Sequence, residues 1–273
     1  MQIIDTHAHL DELEDLDLAL KEASLSGIEG IVAVSMDLNS MRKNIEIKRT
    51  FLQPRIYLGL GIHPGNIKEE EIKPGLEFME EQLREANAIG EIGLDFWYKW
   101  ARKDEAVKEK QRKVFHRQLT MAQEKEFPVV IHSRGTWREC FEATRSLGIE
   151  RAVFHWYSGP LDVLKCILEK GYFVSATPSL AYSPQSREAI SHAPIEQTLI
   201  ETDCPVFYYD PEKFPSESSL LKEGKAKDPQ LGFIAQPKDV LRTLTAYCEL
   251  KKINKDKALS ILNDNAKRFF GIP

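Results

Sequence analysis

Short apolar runs, each bounded by turn-forming residues, alternate along the 273-residue chain with longer segments of helical period. The runs are Ile3–Asp5, Gly30–Val34, Ile56–Leu60, Ala88–Gly90, Val129–Ile131, Ala152–Phe154, Tyr172–Ser175 and Thr198–Ile200. Helical patterns fall between them around Leu16–Ser26, Ser40–Thr50, Pro74–Glu85, Ala106–Lys125, Thr136–Leu147, Pro160–Lys170 and Pro184–His192. Two more, near Pro237–Leu250 and Lys255–Phe270, end the chain. Strands alternating with helices predict an α/β protein with a parallel sheet, and eight of them favour closure into a single (β/α)₈ TIM barrel. Such a barrel takes about 250 residues, so residues 1–273 are expected to form one barrel domain. The one long irregular stretch is Pro205–Gln236, with an aromatic cluster at Phe207-Tyr208-Tyr209; a loop of that length is usually functional.

Charge and cysteine usage exclude several classes. The net charge of −5 argues against a protein that coats nucleic acid non-specifically. Cys140, Cys166, Cys204 and Cys248 form no Cys-x-x-Cys pair, which speaks against a disulfide framework or a thiolate zinc site. No apolar run is long enough for a membrane span and no basic, apolar leader opens the chain, so a cytoplasmic protein without membrane contact is expected.

A lone histidine beside an apolar strand is usually a hydrogen-bonded core residue. Here the joint placement carries the argument. His7, His132 and His155 stand at or just past the C-terminal ends of strands, His9 follows His7 by two residues, Glu91 ends the fourth strand and Asp203 follows the eighth. In a barrel these positions open onto one face, the face where active sites are assembled. His7 and His9, two apart in extended chain, project the same way and can chelate one cation. Imidazole with carboxylate suits Zn²⁺, Mn²⁺ or Fe²⁺, and Mg²⁺ less well. Four imidazoles and two carboxylates exceed what one catalytic ion needs, so two divalent metal ions are expected, with Glu91 as the bridge. His63, in Gly61-Ile62-His63-Pro64, faces the same side and is a candidate substrate contact. His116 and His192 are expected on the surface.

The motifs Ile4-Asp5-Thr6-His7-Ala8-His9-Leu10, Gly61-Ile62-His63-Pro64, Gly90-Glu91-Ile92-Gly93-Leu94-Asp95, Ile131-His132-Ser133-Arg134, His155-Trp156-Tyr157-Ser158-Gly159 and Glu201-Thr202-Asp203-Cys204-Pro205 occur in that order. So arranged, the chain resembles the TatD-type metal-dependent deoxyribonucleases of the amidohydrolase superfamily, and its ending Asn265-Ala266-Lys267-Arg268-Phe269-Phe270-Gly271 is similar to theirs. The resemblance implies that His7, His9, Glu91 and Asp203 hold one ion and that Glu91, His132 and His155 hold the other. It also implies hydrolysis of DNA, often from a 3′ end. Two segments depart from the family pattern: the aromatic Phe96-Trp97-Tyr98-Lys99-Trp100, and Ala235-Gln236-Pro237 after a long insert where the family has Asn-Glu-Pro.

The expected reaction is attack by an activated water, with two cations offsetting the charge of the attacking and leaving oxygens. Asp203 would take the proton as general base; Arg134 would either bind a phosphate oxygen or form a surface salt bridge, and His63 would either bind a phosphate oxygen or serve its turn. Aromatics at Phe96, Trp97, Tyr98, Trp100, Trp156, Tyr157 and Phe207–Tyr209 either form a stacking rim for a single-stranded end, with Trp156 a candidate substrate contact, or pack on one another as a lid. The segment Lys99–Arg117, with eight basic residues against three acidic, is either a solvated helix face or a phosphate track. A related deaminase would need a Glu close after His132, where Ser133-Arg134 stand. A carbamylated-lysine hydrolase would need Lys in place of Glu91. An aminoacyl-tRNA deacylase on the same dinuclear site, or a non-catalytic metal-binding interaction protein, remain as alternatives.

Overall fold

A computed structural model describes residues 3–211, 213 and 230–273. Its strands are β1 (Ile3–Ala8), β2 (Ile28–Val34), β3 (Arg55–Leu60), β4 (Ala88–Asp95), β5 (Val129–Arg134), β6 (Ala152–Phe154), β7 (Phe173–Ala176) and β8 (Thr198–Ile200), paired in parallel in chain order as one sheet. Helices α1 (Leu16–Leu25), α2 (Leu38–Thr50), α3 (Glu69–Gln82), α4 (Glu105–Glu124), α5 (Trp137–Ser146), α6 (Leu161–Glu169) and α7 (Pro184–His192) return the chain between strands; α8 (Val240–Lys251) and α9 (Lys255–Phe270) follow the last. This is the expected (β/α)₈ barrel. None of the helices among the described residues is long and apolar enough to cross a membrane.

The period of two along β2 separates two layers of core. Ile31 and Ala33 pack with the large cluster that includes the surrounding helices. Val32 and Val34 join a second cluster with Ile4, Ala88, Val130, Val153, Phe173 and Leu199, to which Phe269, Phe270 and Ile272 from the end of the chain are added. Each buried Val, Leu, Ile or Phe side chain here contributes about 1.5–3 kcal/mol.

The seam between β8 and β1 closes largely through side chains. Thr6 Oγ1 donates to Ile200 O (2.9 Å), while the buried Asp5 accepts from Thr202 N (2.9 Å) and Thr202 Oγ1 (2.6 Å). Farther along, Asp203 N donates to His7 O (2.9 Å) and His9 N to Cys204 O (2.8 Å). The seam therefore ties the first metal-ligand candidates to the last.

Several boundaries differ from the sequence expectation. β1, β4 and β5 run on to Ala8, Asp95 and Arg134 because polar residues interrupt the apolar run without ending the ladder. Helix α3 begins at Glu69, five residues before Pro74, where three glutamates in the first turn favour the positive end of the helix dipole. The stretch expected to be irregular contains a strand pair, β9 (Phe207–Tyr209) antiparallel to β10 (Gly232–Ile234). Tyr208 is buried there, its hydroxyl donating to Thr202 O (2.9 Å). Residues 212 and 214–229 of that stretch lie outside the described residues.

Candidate metal centre

The six expected ligands converge at the C-terminal ends of the strands. His7 lies within β1 and His9 just after it, Glu91 lies within β4, His132 within β5, His155 directly after β6, and Asp203 three residues past β8. Asp203 reaches the centre with a left-handed backbone (φ 49°), as does Trp156 (φ 42°). For a residue with a Cβ this conformation costs about 1–2 kcal/mol and persists only where surrounding bonds hold it. For Asp203 one such bond is that of its own N–H to His7 O.

The carboxylate of Glu91 divides the ligands into two groups. Its Oε2 lies 3.4 Å from His7 Nε2 and 3.4 Å from His9 Nε2, both of which are also 3.3 Å from Asp203 Oδ1. Its Oε1 lies 2.7 Å from His132 Nδ1, 2.8 Å from His155 Nε2 and 3.5 Å from His63 Nε2. The rings of His7 and His155 stack between the groups, centroids 4.1 Å apart and planes 9° from parallel. Both ring nitrogens of His7 and Nδ1 of His9 are buried without a hydrogen bond. Buried polar atoms are nearly always partnered, so His7 Nε2, 3.4 Å from Glu91 Oε2 and 3.3 Å from Asp203 Oδ1 yet hydrogen-bonded to neither, suits a cation between them. The residues present fit divalent metal.

Among the described residues, three sets of side chains have the proximity to hold an ion: His7 with His9 and Asp203, His63 with Glu91 and His132, and His7 with His155 and Glu201. Hydrogen bonding separates ligands from supports. Glu201 Oε1 accepts from Trp156 N (2.9 Å) and lies 3.3 Å from His155 Nδ1, the ring nitrogen turned away from Glu91. It therefore orients His155. His63 Nδ1 accepts from Gly65 N (2.9 Å), so in the neutral ring the proton sits on Nε2, and burial first of all pushes the His63 pKa down to about 3. His63 presents a hydrogen-bond donor to the centre, not a lone pair.

The electrostatics are those of a site where cations replace protons. Burial depresses the His9 pKa, but the carboxylates of Asp203 and Glu91 more than reverse this and hold it at about 10. His7, His132 and His155 are raised in the same way against burial. Glu91 and Asp203 are lowered despite burial, Glu91 chiefly by His155 and Asp203 chiefly by its contact with His7.

The side chains around the centre fall out differently from expectation. Asp95, to which the sequence reading assigned no role, is fully buried; its Oδ2 lies 2.9 Å from His132 Nε2 and accepts from Arg134 Nε at 2.8 Å. Its signal was its place four residues beyond Glu91, on the same side of the strand by period. Arg134, expected either on a phosphate or in a salt bridge, has Nε in a salt bridge with Asp95, and its guanidinium lies 5.0 Å from the Tyr98 ring centre. Trp156 is half-buried, its indole N–H donating to Ser179 Oγ (3.0 Å). Tyr157 is core, its hydroxyl donating to Pro160 O, which removes it from any rim. In the basic segment, Lys108, Lys110 and Arg112 pair with Glu105, Glu69 and Glu139, as a solvated helix face would. His116 and His192 are exposed, as expected.

Comparison with known proteins gives the family. The family described as "TatD related DNase" matches residues 4–271. The chain belongs to the TatD-related DNase family. Among its TatD relatives are the putative deoxyribonuclease tatdn3 of Danio rerio, 26% identical over 98% of this chain and 96% of that one, and the uncharacterized metal-dependent hydrolase YabD of Bacillus subtilis, 27% identical over 99% of each. The crystal structure of YJJV, a TatD homolog from Escherichia coli K12, superposes with a TM-score of 0.82 at 23% identity, covering 99% of this chain and 98% of that one. This TatD protein is accordingly a metal-dependent hydrolase.

Proposed function

We propose that this TatD hydrolase is a cytoplasmic deoxyribonuclease that cleaves phosphodiester bonds at single-stranded DNA ends, from 3′ to 5′, on a dinuclear centre. The observation that carries the reading is the division of Glu91, one oxygen toward His7 and His9 and the other toward His132 and His155. A bridging carboxylate of this kind is what two adjacent ions require. His7, His9, Glu91 and Asp203 would hold one ion, and Glu91, His132 and His155 the other. Mg²⁺, Mn²⁺ or Zn²⁺ bound there would activate water and offset phosphate charge.

The chain's own residues supply the remaining steps. Asp203, ionised and beside both His7 and His9, takes the proton of the attacking water. His63 Nε2–H donates to a phosphate oxygen, and the guanidinium of Arg134, anchored through Nε, adds charge at the mouth. Glu201 and Asp95 hold the imidazoles of His155 and His132 in the ligating orientation. Trp156 walls the site. The full ligand set speaks against a non-catalytic interaction protein, and human TATDN3, 29% identical over 77% of this chain and 80% of its own, is named a deoxyribonuclease.

The test is purified protein with Mg²⁺ or Mn²⁺ against a 3′-labelled single strand, the same sequence as duplex, a closed circular duplex and an aminoacyl-tRNA. Labelled mononucleotide should appear fastest from the single strand, and the circle should stay closed. Brisk ester cleavage on aminoacyl-tRNA without phosphodiester hydrolysis would replace this reading with that of a deacylase.

A further inference from the structure

Trp97 and Trp100 are 57% and 49% exposed, and both stand on the loop that leaves β4 at the mouth of the barrel. The other strongly exposed large apolar side chains among the described residues, such as Leu25 and Leu52, are aliphatic. Exposed indole is thus confined to the face that carries the candidate metal centre.

The loop is built around these rings. The indole of Trp97 lies over Gly135, where an added Cβ would come within 2.2 Å of the ring, and the Tyr98 hydroxyl lies over Gly65, where a Cβ would come within 2.7 Å of it. Gly135 also has φ +76°, so the position favours glycine twice over. Trp97 N donates to Asp95 Oδ1 (2.8 Å). Tyr98 and Trp100 stack, centroids 5.0 Å apart and planes 13° from parallel. From the centre outward the contacts run His132, Asp95, Arg134, Tyr98, Trp100. The inner end is a metal-ligand candidate and the outer end an indole in water.

Charge beside the rings indicates the partner. Lys99, Arg102 and Lys103 are exposed and form no ion pair among the described residues, and the Arg102 guanidinium lies 5.7 Å from the Trp97 ring centre. Flat rings interleaved with exposed cations match a polyanion that carries flat rings of its own. In a duplex interior both faces of each base are already stacked, so an unpaired base is the one with a face to offer.

We propose that Trp100, supported by Tyr98 and Arg134, is the stacking surface for an unpaired nucleobase of a DNA strand whose nearby phosphate sits at the metal centre. This rests on the phosphodiesterase reading, which it refines by naming where the strand is gripped. Lys99 and Lys103 meet the phosphates that flank the stacked base.

The test compares a short oligothymidylate with the same strand built from 5,6-dihydrothymine, whose puckered ring cannot stack. Trp100→Ala should raise KM on the thymine strand about ten-fold, the size of one base–aromatic stack, and raise it less than two-fold on the dihydrothymine strand. Trp100→Phe should restore most of the difference, and Leu52→Ala, at the exposed residue two positions past the end of α2, should change neither. In EDTA-treated protein the thymine strand should quench tryptophan fluorescence more than the dihydrothymine strand does, and Trp100→Ala should abolish the excess. Equal effects of Trp100→Ala on both strands, in KM and in quenching, would overturn the proposal. If no phosphodiester is hydrolysed, including a base-free aryl diester, the phosphodiesterase reading has failed, and the fluorescence comparison still decides whether Trp100 stacks on a base.

Discussion

Asp95 Oδ2 stands 2.9 Å from His132 Nε2, while Glu91 Oε1 stands 2.7 Å from Nδ1 of the same ring. The imidazole is held between two carboxylates, one on each nitrogen. Burial raises the Asp95 pKa, but the His132 hydrogen bond and the charge of His132 and then Arg134 bring it below the usual range, so it meets the ring as an anion. An anion on Nε2 fixes the tautomer that leaves the Nδ1 lone pair for a metal.

Asp95→Asn should therefore weaken metal binding at the His132 group by about 10–100-fold while leaving the fold intact. Calorimetric titration with Mn²⁺ would show one of two binding events shifted; two unshifted events would mean that Asp95 serves only to hold Arg134.

Glu91→Ala removes both oxygens at once. Metal analysis after loading should approach two ions per chain for the parent and fall at both positions in the variant. One tightly held ion that survives Glu91→Ala would contradict a bridging role.

Asp203 and Glu201 are close in sequence but differ in task. Asp203→Asn should lose about 10²-fold or more in turnover, the usual worth of a placed proton acceptor. Glu201→Gln keeps an oxygen for Trp156 N and should cost much less. Equal, small effects would remove Asp203 from the role of base.

The His9 pKa of about 10 has a measurable consequence. At pH 7 the metal-free ring is protonated, and a cation must displace that proton, so metal binding releases protons and tightens as pH rises. In the metal-free protein the raised His9 value contributes stability that is fully present below about 6.5 and lost as pH rises through about 10. The thermal shift produced by metal should accordingly grow between pH 6 and pH 9. A shift that stays flat over that range would show the ring to be neutral before metal arrives.

Asp5 is the carboxylate of the barrel seam, fully buried and accepting from Thr202 N and Thr202 Oγ1. Asp5→Ala leaves those donors buried without an acceptor, at about 1–3 kcal/mol each. A clear drop in denaturant midpoint is expected. No drop would mean that the seam closes without it.

The sequence by itself determined the barrel and the six candidate ligands that it brings together. Alternation of apolar runs with helical segments is a local property, read over a few residues at a time, and the strand ends of a barrel share one face whatever the details. That is why His7, His9, Glu91, His132, His155 and Asp203 group together from the sequence alone. Only the tertiary structure decided which oxygen of Glu91 faces which imidazoles, that Asp95 supports His132, that Arg134 is anchored by Asp95, and that Tyr157 is core while Trp100 is exposed. These relations join residues distant in the chain, Asp5 with Thr202 across 197 positions and Glu91 with His132 across 41. Their geometry is set when the seam closes and the loops pack over the mouth, and no periodicity along the chain encodes it.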